Sequence, residues 1–311
     1  MILSDKKILV TGGNGFLGSA VVAALVRHGA ARAKISTPSS RDLDLTIWEN
    51  CVEAVKEKNI VIHLAARVGG IGANQAHPGN FFYENAIMGI QLIEAARQAG
   101  IEKFITVGTI CAYPENPPVP FKEESLWDAY PTPVTAPYGI AKKMLLVQGQ
   151  AYRQEYGFNA VYVLPTNLYG PGDNFDPASS HVIAALIEKT MGTMEDNEPS
   201  IEVWGTGIAT RDFLYIDDAA EGIVQATETY ESSEPANLGS GREVSIKELV
   251  DIITKNVGFQ GEIRWNLSKP DGQLRRQLDI SRAEKAFGFS PKVSLEVGIE
   301  KTIAWYKENK K

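Results

Sequence analysis

Cysteine is scarce in this chain: Cys51 and Cys111 are the only two among 311 residues. Two thiols cannot by themselves form a structural metal site, and so low a count fits a reducing, cytoplasmic setting. No apolar run is long enough to span a bilayer. The start, Met1 to Lys7, runs straight into an apolar strand pattern and does not read as a signal peptide. No basic block is present, and 31 Lys and Arg against 38 Asp and Glu leave a net charge of -7, which argues against a general nucleic-acid binder. Internal repeats and low-complexity tracts are absent too. What remains is an ordinary soluble composition, 44% hydrophobic and 22% charged. At 311 residues the chain is long enough for about two domains and a sizeable core.

Apolar patterning predicts strands at residues 7–11, 33–36, 59–65, 103–107 and 160–164. Between them helices are expected from Ser19 to about His28, from about Asn80 to Ala99 and from about Tyr138 to Tyr156. The proline-rich stretch 114–137 reads as a loop. Strands alternating with helices imply right-handed crossovers. The expected class is α/β, a Rossmann-like doubly wound parallel sheet with a smaller C-terminal α/β substrate domain. The expected division is a dinucleotide-binding domain at 1–168, joined by about 212–236, and a substrate-binding domain at 169–311.

Two motifs carry chemistry. Gly12, Gly15 and Gly18 fall between the first strand and the first helix. The first glycine permits a tight turn, the second lets backbone approach a pyrophosphate, and the third allows close helix–strand packing. The helix N-terminus then favours phosphate charge. After the second strand, Ser36 to Arg41 offers hydroxyls and one guanidinium, which suit a 2′-phosphate and favour NADP, although Asp42 and Asp44 follow closely. The second motif is Tyr138-Gly139-Ile140-Ala141-Lys142, whose spacing puts phenol and ammonium on one helix face. The ammonium is expected to lower the phenol's pKa and make it a usable acid–base group.

Joined, these motifs resemble the extended short-chain dehydrogenases/reductases that act on nucleotide sugars. Narrower segments resemble the GDP-L-fucose synthase family: Val68 to Asn74, Pro165 to Pro171, Asp173-Asn174-Phe175, Ser180 to Leu186, and Ser268-Lys269-Pro270-Asp271-Gly272. The match covers nearly the whole chain. It implies a GDP-4-keto-6-deoxy-mannose substrate, NADPH and a homodimer, whose seam would be the helices near 80–99 and 138–156. No metal is implied.

The resemblance also implies roles. Tyr138 matches the proton donor and Lys142 its partner on the nicotinamide ribose. Thr109 stands where the family usually has serine, and its hydroxyl can make the same hydrogen bond. Cys111 and His181 match the pair that epimerises the sugar. Cofactor contacts are implied for Gly12, Gly13, Asn14, Gly15, Phe16, Leu17, Gly18, Arg41, Ala65, Val107, Gly108, Thr109, Ile110, Lys142, Pro165, Thr166, Asn167, Leu168 and His181. Asn14 replaces an arginine found in some members, which leaves Arg41 to support NADP. Lys189 stands where a substrate-contacting arginine is often found. With Trp204, Arg211 and Asp271 it is expected to bind substrate, and Lys269, Arg275 and Arg276 are further candidates for the diphosphate. His28, His63 and His77 read as ordinary histidines. Open alternatives are a related GDP-sugar epimerase/reductase, such as a GDP-L-colitose synthase, and a non-catalytic NADP-binding sensor.

Overall fold

The computed structural model describes residues 1–177, 179–269 and 271–310, so Pro270 of the 268–272 motif lies outside the described residues. In the first half, strand and helix alternate. β1 (Ile8–Thr11) leads to α1 (Phe16–Arg27), β2 (Ile35–Ser36) to α2 (Trp48–Val55), and β3 (Ile60–His63) to α3 (Ile71–Ala76) and α4 (Pro78–Gln98). β4 (Lys103–Val107) leads to α5 (Ala136–Tyr156), which returns as β5 (Ala160–Pro165). Shorter elements follow: β6 (Asn167–Tyr169), α6 (Val182–Glu195), β7 (Ser200–Trp204), β8 (Thr210–Arg211), β9 (Phe213–Tyr215) and α7 (Ile216–Thr229). The chain ends with β10 (Ala236–Leu238), β11 (Val244–Ser245), α8 (Ile246–Val257), β12 (Glu262–Asn266), α9 (Ser281–Phe287) and α10 (Leu295–Asn309).

The expected α/β class is what the structure shows. Six parallel strands form one sheet in the order β10-β5-β4-β3-β1-β2. β1, β3, β4 and β5 are buried along their whole length, as in a sheet covered on both faces. Alternate residues serve opposite cores: Ile8 and Val10 pack in the cluster that includes α1 and α7, while Leu9 packs with α2, α4 and α5. The strand order reverses between β1 and β3, which opens a crevice at their C-terminal ends. A third apolar cluster is drawn from the second half, centred on Tyr169, Ile187, Val203, Leu249 and Ile299.

Besides shifts of one or two residues, such as β3 at Ile60–His63 and α4 from Pro78, the elements differ from the sequence expectation in three places. α1 starts at Phe16 and not at Ser19, so Gly18 lies inside its first turn. A side chain on Gly18 would sit 2.0 Å from the Gly12 carbonyl oxygen, and its absence lets the helix begin this early. The second strand is confined to Ile35–Ser36, because Arg32–Lys34 coil into a 3-10 turn. The proline-rich stretch is not loop throughout: Glu123–Trp127 form a 3-10 helix, and α5 starts at Ala136 with Pro137 in its first turn, where no intrahelical N–H bond is lost.

α4 and α5 lie against each other. Gly89 permits this approach, since a Cβ there would meet Leu145 Cδ1 at 2.3 Å, and Leu145 is itself fixed in the core. Gly89→Val is therefore expected to overpack the seam and lower stability by about 1–3 kcal/mol. Denaturant unfolding should show a lower midpoint at unchanged slope; an unchanged midpoint would mean the seam yields freely.

Candidate active site

The loops that leave the C-terminal ends of the sheet meet in one crevice. After β1, Gly12 has φ +69°, and a Cβ there would lie 2.9 Å from Ala65 N in the loop after β3. Gly15 caps α1 with no side-chain acceptor, and no acidic residue follows in the first turn. The free N–H groups there make a ready anion site. Asn14 Nδ2 donates to Thr37 O at 3.0 Å and so ties the glycine loop to the end of β2. Arg41, close by in sequence, is exposed and makes no hydrogen bond or ion pair among the described residues. Asp42 is occupied locally: its Oδ2 accepts from Ser39 Oγ at 2.6 Å and Ser39 N at 3.2 Å. The Ser39 hydroxyl and amide hold that carboxyl below its ordinary range.

Beside this cradle stand the groups expected to do chemistry. Thr109 caps the 3-10 turn Ile110–Ala112, its Oγ1 accepting from Cys111 N at 3.2 Å. The Thr109 hydroxyl and Cys111 both lie close enough to Tyr138 to act on its phenol. Gly139 makes this proximity possible, because a Cβ there would sit 2.2 Å from Cys111 O and 2.7 Å from its carbonyl carbon. Gly108 plays a similar part at the end of β4, where a Cβ would meet the Tyr162 hydroxyl at 2.4 Å. Tyr162 Oη donates to Lys142 O at 3.0 Å and anchors that turn of α5.

The phenol's pKa differs in direction from the sequence expectation. Burial pushes Tyr138 up, nearby Cys111 adds to this, and the Thr109 hydroxyl only partly offsets them. Lys142 is not among the groups that act on the phenol, and desolvation holds the phenol firmly as an acid. Lys142 is 2% exposed, and burial brings its ammonium down to about 8. Its Nζ has no hydrogen-bond partner among the described residues. A nearly buried lysine whose ammonium lacks a protein partner is fitted to donate to hydroxyl oxygens of a bound nucleotide.

His181 comes from elsewhere, as the exposed N-cap of α6, and no hydrogen bond joins it to this cluster. Its charge is felt by Asp173, a nearly buried carboxyl that burial raises, opposed by the Asn174 N–H and by His181. Asp173 sits in a matching motif, but its placement beside His181 carries no spacing signal. Gly139 had one: a glycine within a helix pattern marks close packing. Val107, Ile110, Pro165 and Thr166 end strands or begin loops at the same edge of the sheet. Thr166 Oγ1 and Asn167 Nδ2 both donate to Asp212 O, at 3.1 and 2.9 Å, and Leu168 packs at the border of two cores.

Positive charge gathers on a second surface. Arg211 donates to Thr210 O at 2.7 Å, Gln273 O at 2.6 Å and Asp271 O at 3.3 Å. Burial, with the like charge of Arg276, brings its pKa down to about 10. Among the described residues Arg276 bonds only Gln273 Oε1, at 2.9 Å, so there two guanidinium groups lie near each other without a carboxylate salt bridge. Arg275 is committed to Glu243. Trp204 is 60% exposed at the end of β7, with Lys269 Nζ 5.0 Å from its ring centre. Lys189 Nζ donates to Glu202 O at 2.7 Å on the same strand. Both Asp271 oxygens are taken by Thr206, through its amide and its hydroxyl.

Residues 8–239 match the model of the NAD dependent epimerase/dehydratase family. The chain belongs to this family. A probable GDP-L-fucose synthase 1 of Oryza sativa subsp. japonica is 38% identical, over 99% of this chain and 94% of its own. A GDP-L-fucose synthase of Sinorhizobium fredii is 39% identical, over 99% and 98%. Among solved structures, a GDP-L-fucose synthetase from Naegleria fowleri bound to NADP superposes with a TM-score of 0.87 at 28% identity, covering 98% of this chain and 95% of that one.

The contact at Gly139 generates a sign test. Gly→Ala within a helix normally stabilises by about 0.5–1 kcal/mol. Here the added methyl meets backbone at 2.2 Å, so Gly139→Ala is expected to destabilise. Thermal unfolding reads the difference, and a raised midpoint would mean that the Cys111 turn moves away without cost.

Proposed function

We infer that the protein is a GDP-L-fucose synthase, which inverts C3 and C5 of GDP-4-keto-6-deoxy-D-mannose and then reduces C4 with NADPH. The observation that carries this is the convergence of Thr109, Cys111 and Tyr138 on one spot, in a chain of this family. A reductase alone needs the hydroxyl, the phenol and the ammonium. A thiol beside the same phenol adds a proton-transfer group next to the atom being polarised.

The substrate ketone at C4 acidifies the hydrogens of both C3 and C5. Inversion needs one group to remove a proton and another to return one on the opposite face. Cys111 and His181, from separate segments, serve as that pair. Thr109 and Tyr138 hydrogen-bond the C4 oxygen and stabilise the enolate as charge develops there. When bound, NADPH supplies the hydride to C4. Tyr138 then gives its proton to the C4 oxygen, a task suited to a phenol that burial keeps protonated. Lys142 binds the ribose hydroxyls and favours the phenolate left behind.

The rest of the crevice fits the same reading. The glycine cradle and the α1 N-terminus take the pyrophosphate, and the unpaired Arg41 takes the 2′-phosphate that separates NADP from NAD. Arg211 and Arg276 take the GDP diphosphate, with Lys189, Lys269 and Trp204 at its edge. Asp271 supports Thr206 and the Gly205 turn beside them. The two free cysteines fit a reducing, cytoplasmic setting. A homodimer would join copies through α4 and α5, which leave Phe82, Tyr83, Val147 and Tyr156 exposed.

Wild-type protein given NADPH and GDP-4-keto-6-deoxy-mannose should oxidise the cofactor and form GDP-L-fucose; no oxidation would overturn the assignment. Cys111→Ser should cut exchange of C3 and C5 hydrogens with solvent deuterium by about 10²–10⁴-fold. NADPH affinity should stay within about twofold, and undiminished exchange would remove the thiol from the mechanism. A second expectation concerns pH. Lys142 is cationic below its pKa of about 8 and loses its charge above it, so kcat/KM for NADPH should fall as pH rises through 8. A profile flat to pH 9.5 would contradict that role.

A further inference from the structure

The turn that carries Cys111 is held from two sides. On one side α5 presses against it at Gly139. On the other, Tyr113 closes the same turn. Tyr113 is 2% exposed, and its Oη donates to Asn237 Oδ1 at 2.7 Å. Asn237 is fully buried on β10, and all its side-chain polar groups are engaged, since Nδ2 donates to Phe121 O and to Asp279 O, both at 3.0 Å. Its backbone N donates to Glu123 Oε1 at 2.9 Å.

Those partners lead onward to the guanidinium pair. Phe121 N donates to Gln277 O at 2.7 Å, and Asp279 N returns a bond to Phe121 O at 2.9 Å. Residues 271–279 thus form a strap sewn to the 121–123 segment. Arg211 grips the same strap at Asp271 O and Gln273 O, Arg276 stands within it, and Leu278 N is held by Asp212 Oδ2 at 3.3 Å. A continuous run of buried and part-buried hydrogen bonds and backbone therefore connects the Cys111 turn to the place where the diphosphate would lie.

We propose that Tyr113 is a positioning residue for the epimerisation stage: through Asn237 it fixes the Cys111 thiol relative to the strap that holds the nucleotide. Inversion requires the thiol to face a ring carbon whose position is set by the diphosphate, so an error between turn and strap falls directly on proton transfer. Hydride transfer is less exposed to that error, because Tyr138 and Lys142 belong to α5, which has its own anchor at Tyr162. The tyrosine ring packs on Phe121 with centroids 5.3 Å apart, a contact that phenylalanine retains. Tyr113→Phe thus deletes one hydroxyl and leaves the packing in place.

The inference rests on the epimerase/reductase reading, and one experiment separates the two. Wild type and Tyr113→Phe, each loaded with NADP, are given GDP-4-keto-6-deoxy-mannose in deuterium oxide, and exchange at C3 and C5 is followed. In parallel, each is given NADPH and the already inverted 4-keto sugar nucleotide, and reduction is followed. We expect exchange in the variant to fall at least tenfold, in kcat more than in KM, since misplacement on the scale of an ångström carries such a loss. Reduction of the inverted sugar and NADPH affinity should stay within twofold. Exchange at the wild-type rate overturns the proposal alone. Exchange and reduction falling in equal proportion also overturn it, because that marks general loosening. A wild type that shows no exchange overturns the epimerase reading and this inference with it.

Discussion

The chemistry of this site depends on how closely α5 lies against the turn after β4. Helix and turn touch through backbone at Gly139 and Cys111, with no side chain between them. That contact brings a phenol from the helix and a threonine and a cysteine from the turn to one point. Gly108 and Tyr162 secure the turn of α5 that carries Lys142. No hydrogen bond to a ligand is needed to assemble these groups. The sheet, whose strands are buried on both faces, supplies a rigid floor beneath them.

Charge placement complements that geometry. The chain is acidic overall, yet several cations have no carboxylate salt bridge among the described residues: Lys142 in the crevice, Arg211 and Arg276 on the second surface, and Arg41 in the loop after β2. Nearby acids are spent elsewhere, Asp42 on Ser39, Asp271 on Thr206 and Glu243 on Arg275. Burial makes Lys142 and Arg211 costly in isolation, so a phosphorylated ligand beside them relieves an electrostatic cost that folding leaves in place. An acidic surface need not oppose this, because the field inside a cleft is set by its lining.

How much of this was legible in the sequence follows from the range of each interaction. The α/β class could be read from buried apolar runs that alternate with helix patterns. The glycine cradle could be read because its three glycines lie close together in sequence at one strand-to-helix junction. The direction of the Tyr138 pKa could not, because spacing places Lys142 on the same face but says nothing of desolvation, which is the largest influence on the phenol. The start of α1 was misplaced since Gly18 looks like a loop residue until its contact with Gly12 is seen. Tyr113 and Asn237 were invisible: they are 124 residues apart, and nothing periodic connects them. Family likeness pointed to Cys111 and His181 as a pair, while the coordinates add Asp173 beside the histidine and leave the pair unbonded.

β10 carries a consequence for how the chain reaches its native state. Among the described residues this strand pairs only with β5, and residues 166–235 lie between them. As the chain is synthesised, the sheet would therefore have five strands for a long interval, with the outer edge of β5 unpaired and open to other strands. Closing that edge requires a contact between distant parts of the chain, the kind that forms slowly. The same step buries Asn237 and completes the bonds that hold the strap. Sealing the vulnerable edge and finishing the pocket are thus one late event, and a chain stalled before it would be both inactive and prone to associate.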